Sequence, residues 1–428
     1  MLQLFYNFLF HLLLPFLPLR LLWRSRKNAA YRKRWNERFA FYRKPHLQQS
    51  IWVHAVSLGE VVAATPLVKA LAKQYPTTPI VFTTMTPTGA AEMQKAFPAT
   101  LNNKQIIQKY VPYDYQWAVK KFLKHFNPQF LVILETELWP NILHYCHQQK
   151  RPIFLVNARL TEKSFASYYK VRAFTKSMLD NITKIVAQSK KDAEYFSKLG
   201  VAEDKLTIAG NIKFAITVPT DIKLQGHQLR QQLGRERPVW IAASTHQDEE
   251  KIVLAAFKKI LQQLPDALLI IAPRHPERFD EVAVLCHEQN FNIVRYSQNE
   301  ICAASTNIIL ADVMGQLLLF YAASDVAFVG GSLVPVGGHN ILEAAAFALP
   351  IVVGPHTKTL ADVKTIFETA GGLIIVNDDK ELAEKIILLF KNPNLRQTHG
   401  SIAYNILEQN RDVLDRILQG ITSIVISI

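Results

Sequence analysis

From Ile51 onward, short apolar runs alternate with stretches whose apolar residues recur at helical spacing. The pattern predicts strands at Ile51–Ser57, Ile80–Thr84, Tyr110–Pro112, Phe130–Leu134, Ile153–Asn157, Lys184–Gln188 and Leu206–Ala209. Helices are expected between them, including Glu60–Tyr75, Gly89–Phe97 and Tyr115–Phe126. The alternation pauses over Thr217–Pro238, a polar stretch with Pro219 and Pro238 and one expected helix, Leu224–Leu233. A second series follows at Val239–Ser244, Ala267–Ala272, Asn292–Tyr296, Asn307–Ala311, Asp325–Val329, Ile351–Val353 and Leu373–Val376. Helices at Lys380–Lys391 and Ser401–Leu418 are expected to close the chain. Repeated βα units imply parallel sheets wrapped by helices. The expected fold is α/β, with two doubly wound Rossmann-like domains at 51–216 and 239–428. Residues 217–238 link them, and a ligand cleft is expected between them.

The first fifty residues break this pattern. Leu2 to Leu19 is apolar apart from Gln3, Asn7 and His11, and Pro15 and Pro18 would kink a helix there. Its length is about the minimum for crossing a bilayer. No positive charge precedes the run and no small-residue cleavage site closely follows it, which argues against a cleaved signal peptide. Residues 1–23 are read as a hydrophobic membrane anchor, either spanning or lying in one leaflet. Residues 24–50 form a basic membrane-proximal segment.

Charge sharpens that reading. Between Arg20 and Lys44 stand ten basic residues against one acid, Glu37, a surplus of nine out of the chain's net +14. Apolar first and basic after points to an anionic membrane with the basic side cytoplasmic, and disfavours nucleic acid as the partner. Cys146, Cys286 and Cys302 form no CxxC pair, and no histidine cluster has ligand spacing, so neither a disulfide scaffold nor a zinc site is expected. An apolar content of 49% with 20% charged residues excludes a disordered chain.

Candidate chemistry gathers where strands end. Ser57-Leu58-Gly59-Glu60 is a capping-box sequence. Glu60 is equally placed to act as a general base, with Gly59 leaving room for substrate and the helix start holding the carboxylate ionised. Glu135 and Glu137 follow a buried strand and share one side if the strand continues; the other reading is that one caps the next helix while Trp139 fills core. Lys213 follows the last strand of the first series, a weak signal for a cation near phosphate or carboxylate. Arg274, after Pro273, suits bidentate phosphate binding. Met314-Gly315-Gln316 open a helix whose N–H groups can meet a base or phosphate. In Gly330–Thr357, a strand runs through glycines into a helix near Asn340, with Glu343 in its first turn. That helix mouth, with Gly337 and Gly338 beside it, reads as a phosphate and ribose site. No Asp-x-Asp lies in a βα turn, so a metal-dependent transferase of the other common architecture is disfavoured.

Several motifs together carry a resemblance. They are Tyr31–Phe39, His54–Glu60, Thr83–Gly89, Glu135–Asn141, Asn157–Leu160, Ala272–Phe279 and the 330–357 segment. Over essentially its whole length the chain resembles the 3-deoxy-D-manno-octulosonic acid (Kdo) transferases of Gram-negative bacteria. The resemblance implies the B-type glycosyltransferase fold and an inverting, metal-independent transfer with no cofactor. It also implies CMP-Kdo as donor, a lipid A precursor (lipid IVA) as acceptor, and the cytoplasmic face of the inner membrane as location. It makes Glu60 the general base and Glu135 and Lys213 transition-state stabilisers. CMP would contact Pro273, Arg274, Met314, Gly315, Gln316, Asn340, Ile341, Leu342 and Glu343. The basic segment would meet anionic headgroups and could receive the acceptor's phosphates. Two departures stand out: Gln316 where the family has Glu, which removes a charge but keeps hydrogen bonding, and Asn36 and Ala40 where glycines are common.

Three other functions fit parts of the pattern. A UDP-sugar transferase acting on another lipid carrier and a sugar-nucleotide epimerase share the expected fold. A non-catalytic membrane-surface or RNA-binding protein leaves the strand-end carboxylates without a role.

Overall fold

A computed structural model describes residues 2–43, 46–98 and 105–425. It divides into two compact units, one running to Ala215 and resuming at Asp412, the other spanning Ile216–Arg411. Each is built on one seven-stranded parallel sheet.

In the first unit the strands are β1 (Ser50–His54), β2 (Ile80–Thr84), β3 (Ile106–Tyr110), β4 (Pro128–Leu134), β5 (Ile153–Ala158), β6 (Lys184–Ala187) and β7 (Leu206–Ile208). Their order is β3-β2-β1-β4-β5-β6-β7. The direction of winding therefore reverses between β1 and β4, where open parallel sheets place their ligands. The central strands are mostly apolar and almost wholly buried because helices cover both faces. Edge strand β3 lies four residues upstream of the expected Tyr110–Pro112. Pro112 lacks an N–H and cannot extend the ladder, whereas the mixed run Ile106–Tyr110 can pair on one side with β2.

The second unit contains β8 (Val239–Thr245), β9 (Leu268–Pro273), β10 (Ile293–Arg295), β11 (Ile308–Leu310), β12 (Val326–Val329), β13 (Ile351–Val353) and β14 (Ile374–Ile375). The order β10-β11-β9-β8-β12-β13-β14 puts its reversal between β8 and β12. The expected linker is not a free connection. Its helix is longer, Thr220–Leu233, and belongs to the second unit. A Cβ on Gly226 would lie 2.2 Å from that of Ala322, so glycine there permits close helix packing. Arg230 adds an ion pair to Asp325 at 2.9 Å.

The chain's close also differs from expectation. The single helix Ser401–Leu418 is two, Pro393–Gln409 and Val413–Val425. The second of these packs on the first unit, outside the domain predicted for it. Val413, Ile417 and Ile421, at helical spacing, are fully buried in the first unit's core, and Arg416 donates to Ala209 O at 3.2 Å. Burial of each such side chain contributes roughly 1.5–3 kcal/mol, enough to fix a short helix.

Residues Leu2–Leu12 and Phe16–Ser25 form two helices, bent by 56° at the Pro15 break. Among the described residues no single helix is long and apolar enough to cross a membrane. One face of the pair docks on the first unit through polar hooks. Gln3 donates to Asn141 at 2.8 Å, the Tyr6 hydroxyl to Asp114 at 3.0 Å, and Tyr115 to Phe10 O at 3.0 Å. The other face leaves Phe5, Phe8, Leu12, Phe16, Leu19 and Trp23 exposed.

The basic segment is not all free surface either. Arg38 is buried, donating to Met85 O at 3.0 Å with its guanidinium 4.2 Å from the Tyr110 ring centre. Arg34 donates to Gln108 Oε1 at 2.6 Å, and Glu37 accepts from Tyr110 N at 3.0 Å. These residues clamp the otherwise unpaired edge of β3. Lys44, counted with the segment above, lies outside the described residues.

Asp114 ties these parts together. Its carboxylate accepts from Asn141 N at 2.8 Å and Ile142 N at 2.9 Å, capping the helix Pro140–Gln148 from a distance, while also holding Tyr6. Burial pushes its pKa up to about 7. Asp114→Ala leaves two buried N–H groups and a hydroxyl unpaired, and should cost about 2–4 kcal/mol. Urea unfolding checks that loss; limited proteolysis should also show earlier cleavage around Leu12–Phe16.

Candidate active site

Glu60 follows β1 at the reversal of the first sheet, in the first turn of the helix Leu58–Gln74. The capping box forms: Ser57 Oγ accepts from Glu60 N at 3.3 Å, and Glu60 Oε1 accepts from Ser57 N at 3.2 Å. Its second oxygen accepts from Val56 N at 2.8 Å. The helix start does not lower its pKa as expected. Burial raises its pKa despite these bonds, and the Glu137 charge adds to the rise. Space beside it is open, since a Cβ on Gly59 would meet only Ser57 Oγ, at 3.9 Å. Leu58 and Val62 flank it on the exposed surface.

The Glu137 charge acts on Glu60, and Glu135 does not share its side of the strand. The strand ends at Leu134, and Glu135 adopts φ +57°, so the alternation that would align the two is broken. Glu137 accepts from the Trp139 indole at 2.9 Å. Burial raises its pKa and the nearby Glu135 raises it further. Neither glutamate caps the next helix, because Asp114 does so. Trp139 also packs edge-on against His54, their ring centres 5.4 Å apart. His54 is fully buried, bonded to Thr83 Oγ1 at 2.9 Å, and held neutral with a pKa lowered to about 3 by burial.

Lys213 lies in a 3₁₀ turn, Ile212–Phe214, that follows β7 and returns to contact the helix bearing Glu60. Asn157, at φ +52°, fixes the turn by accepting from Ile212 N at 2.9 Å. The Asn157–Leu160 motif thus acts locally, anchoring the lysine's turn while Arg159 O accepts from Thr136.

In the second unit, a small cavity of about 110 Å³ brings together Pro273, Arg274, Met314 and Gly315 with Ser244 and Phe320. Four of the predicted nucleotide contacts therefore share one wall. Gln316 lies outside that lining, exposed at the N-cap of the helix Leu317–Ala322, with no side-chain cap bond.

The 340–343 region departs from the expected helix mouth. The helix is a single turn, Leu342–Ala345, too short for a strong dipole. Asn340 Oδ1 accepts from Leu342 N at 3.1 Å, occupying one of its N–H groups. The Asn340 amide donates to Glu343 at 3.2 Å. Burial raises the Glu343 pKa, opposed by Asn340 and Arg274. Gly337 and Gly338 do not open space for a ligand: Cβ atoms there would come within 3.0 Å of Thr359 and of Leu360. They let the loop lie against the 358–360 turn.

Two features were missed in the sequence. Glu249, fully buried, accepts four main-chain N–H groups: Gly331 at 2.7 Å, Ser332 at 3.0 Å, Leu333 at 2.9 Å and His246 at 3.2 Å. Gly330 permits this, since a Cβ there would lie 2.7 Å from Glu249 Oε2. The second feature is the contact of His246 with His339, Nε2 to Nε2 at 2.7 Å. Partners distant in sequence leave no periodic signal.

Comparison with known proteins agrees with this arrangement. The family model 3-Deoxy-D-manno-octulosonic-acid transferase (kdotransferase) matches residues 33–216, and Glycosyl transferases group 1 matches residues 236–406. A 3-deoxy-D-manno-octulosonic acid transferase from Haemophilus influenzae is 38% identical over 397 residues, covering 92% of each chain. One from Bordetella pertussis is 32% identical over 361 residues, covering 83% of each. In fold, the chain is similar to UDP-GlcNAc 2-epimerase from Neisseria meningitidis, with TM-score 0.56 and 15% identity over 88% of this chain and 100% of that one. Two parallel sheets with strand-end polar residues at their reversal points thus belong to a glycosyltransferase, and the chain is a member of the 3-deoxy-D-manno-octulosonic acid transferase family.

Proposed function

We propose that the chain transfers Kdo from CMP-Kdo to a sugar hydroxyl of a lipid A precursor, with inversion and without a metal ion. The observation that carries this reading is Glu60: a buried carboxylate with a raised pKa, at the reversal of its sheet, beside open space. Glu60 takes the proton from the acceptor hydroxyl as its oxygen attacks the anomeric carbon. The bond from that carbon to the CMP phosphate oxygen breaks, and the electron pair leaves with CMP. A carboxylate with two oxygens already accepting N–H groups keeps lone pairs for this proton. Its raised pKa strengthens it as a base, provided the pH keeps it ionised.

Positive charge grows on the sugar as CMP departs, and fixed charges in the site oppose it. Glu135 fits that role, with Lys213 countering negative charge. On the donor side, Pro273, Arg274, Met314 and Gly315 line the base and phosphate pocket. Gln316 and the Asn340–Glu343 segment complete the proposed contacts.

An acylated acceptor suits the first unit. A cavity of about 490 Å³, lined by Phe10, Leu17, Leu138, Trp139 and Phe174, reaches from the N-terminal helices to the tryptophan that binds Glu137. The exposed apolar face of those helices, with Arg20 and its basic neighbours beside it, fits helices lying in the interface of an anionic membrane. We place the protein at the cytoplasmic face of the inner membrane on this basis.

Incubation with labelled CMP-Kdo and lipid A precursor tests the reaction; release of UDP from a UDP-sugar instead would overturn it. Glu60→Gln keeps the capping box, so folding and CMP-Kdo binding should survive while transfer falls by about 10²–10⁴-fold. Near-normal turnover would remove Glu60 from the role of base.

Glu137→Gln removes a negative charge that raises the Glu60 pKa. The acid limb of kcat/KM should therefore move to lower pH, measured as a pH profile. A limb that stays in place would show that Glu60 does not set it.

Phe8→Asp and Trp23→Asp alter side chains that are each 62% exposed. Each should weaken binding to anionic vesicles by about tenfold in co-sedimentation while leaving thermal stability unchanged.

A further inference from the structure

His246 and His339 stand at the reversal point of the second sheet, outside every nucleotide contact assigned above. His246 leaves the end of β8, and His339 is brought to it by the loop that follows β12. Their Nε2 atoms are 2.7 Å apart, and the rings are parallel to within 3°. His275, leaving β9, stands edge-on to His246 with ring centres 5.3 Å apart.

This contact is built by the fold. Glu249 binds the N–H of His246 and that of Gly331, fixing both strand exits with one carboxylate. Gly331 O then accepts from Gly337 N at 2.9 Å and Gly338 N at 2.7 Å, which sets the position of His339. At Gly331, with φ +67°, a Cβ would lie 3.0 Å from the His339 ring and 3.4 Å from the His246 ring. Glycine is needed there for the two rings to meet.

Two nitrogens at 2.7 Å share one proton. A proton on both would set two N–H groups head to head; a proton on neither would set two lone pairs together. The pair therefore carries charge zero or +1: the neutral pair holds two ring protons, and taking up a third makes the cation. Burial lowers the pKa of His339 to about 4, and burial together with His275, Arg274 and Arg278 lowers that of His246. The free protein thus keeps the pair neutral. The charged groups around it are Arg274, His275, Glu277 and Arg278 from the β9 exit, Glu249 and Glu250 from the helix Glu249–Gln263, and Glu343. Glu250 is committed to Arg278 at 2.6 Å and Glu249 to main-chain N–H groups, while His356 contributes its carbonyl beside Gly338. Among the described residues no carboxylate is bonded to either Nε2, and the side chains that act on both rings, His275 and Arg274, are basic.

We propose that His246 and His339 act as one proton-sharing pair that, with Arg274, receives the phosphate of the departing nucleotide and takes up a proton as negative charge arrives. The proposal rests on the reading of a nucleoside monophosphate as leaving group. When the sugar–oxygen bond breaks, the phosphodiester monoanion becomes a phosphate monoester that gains a second negative charge above its own pKa of about 6. An imidazolium in place at that moment neutralises the new charge, and the solvent proton that made it is released with the nucleotide.

The test uses the full chain with CMP as probe. Histidine-selective NMR, assigned with His246→Gln and His339→Gln, gives the titration midpoint of each ring. Saturating CMP should raise both midpoints by at least about one pH unit, and the calorimetric Kd should weaken by up to about tenfold per pH unit across that interval. In His339→Gln the Kd should lose that dependence, beyond what the phosphate's own ionisation imposes. Midpoints unmoved while calorimetry shows CMP bound would overturn the pair's role and leave the donor reading intact. Rings that respond to UDP and not to CMP would keep the anion cradle and overturn the donor reading.

Discussion

Buried carboxylates that collect main-chain N–H groups at strand ends hold this molecule's functional loops in place. A parallel sheet satisfies its own backbone, but the loops leaving its carboxyl ends do not, and their N–H groups must find acceptors. Glu249 collects four of them, Asp114 two, Glu60 two, and Glu37 caps the edge of β3. Each group costs several kcal/mol to desolvate and is stable only because its hydrogen bonds are nearly complete. The loops so held are the ones that bear the proposed site residues. Without Glu249, neither the Gly330–Leu333 turn nor the approach of His246 to His339 has a fixed geometry.

The capping box and the proposed role of Glu60 as a base are compatible. Capping the helix and accepting a proton use different lone pairs of the same carboxylate. The capping box orients the group and removes its rotational freedom, while burial and Glu137 raise its basicity. A base that was free to rotate would have to be ordered at each turnover. A base without burial would be a weaker proton acceptor.

Local signals carried most of the strands and the strand-end placement of Glu60, Arg274 and Met314-Gly315, because strand periodicity and strand-to-helix turns are written within about ten residues. What failed was non-local. The final helix reads as a continuation of its predecessor, yet Val413, Ile417 and Ile421 belong to a core some two hundred residues upstream in sequence. Arg34 and Arg38 count as surface charge in a composition, but in the structure they clamp an edge strand. Glu135 and Glu137 looked equivalent until a left-handed φ at Glu135 separated them. Asp114, Glu249 and the histidine pair depend on partners that only the tertiary fold supplies.

The glycines of the 330–338 segment serve the packing of the fold rather than the approach of a ligand. Such a run suggests backbone laid bare for phosphate. Here Gly330 yields space to Glu249, Gly331 to two imidazoles, and Gly337 and Gly338 to the 358–360 turn. Three N–H groups of the turn are already taken by Glu249, and that of Leu342 by Asn340. Little backbone dipole is left for an anion, so charge for a phosphate has to come from side chains. Arg274 supplies one permanent charge at this sheet reversal, and the histidines are placed to supply another on demand. A site that gains its second charge only when the leaving group does holds intact donor less tightly than departing nucleotide, and that difference is what lowers a barrier.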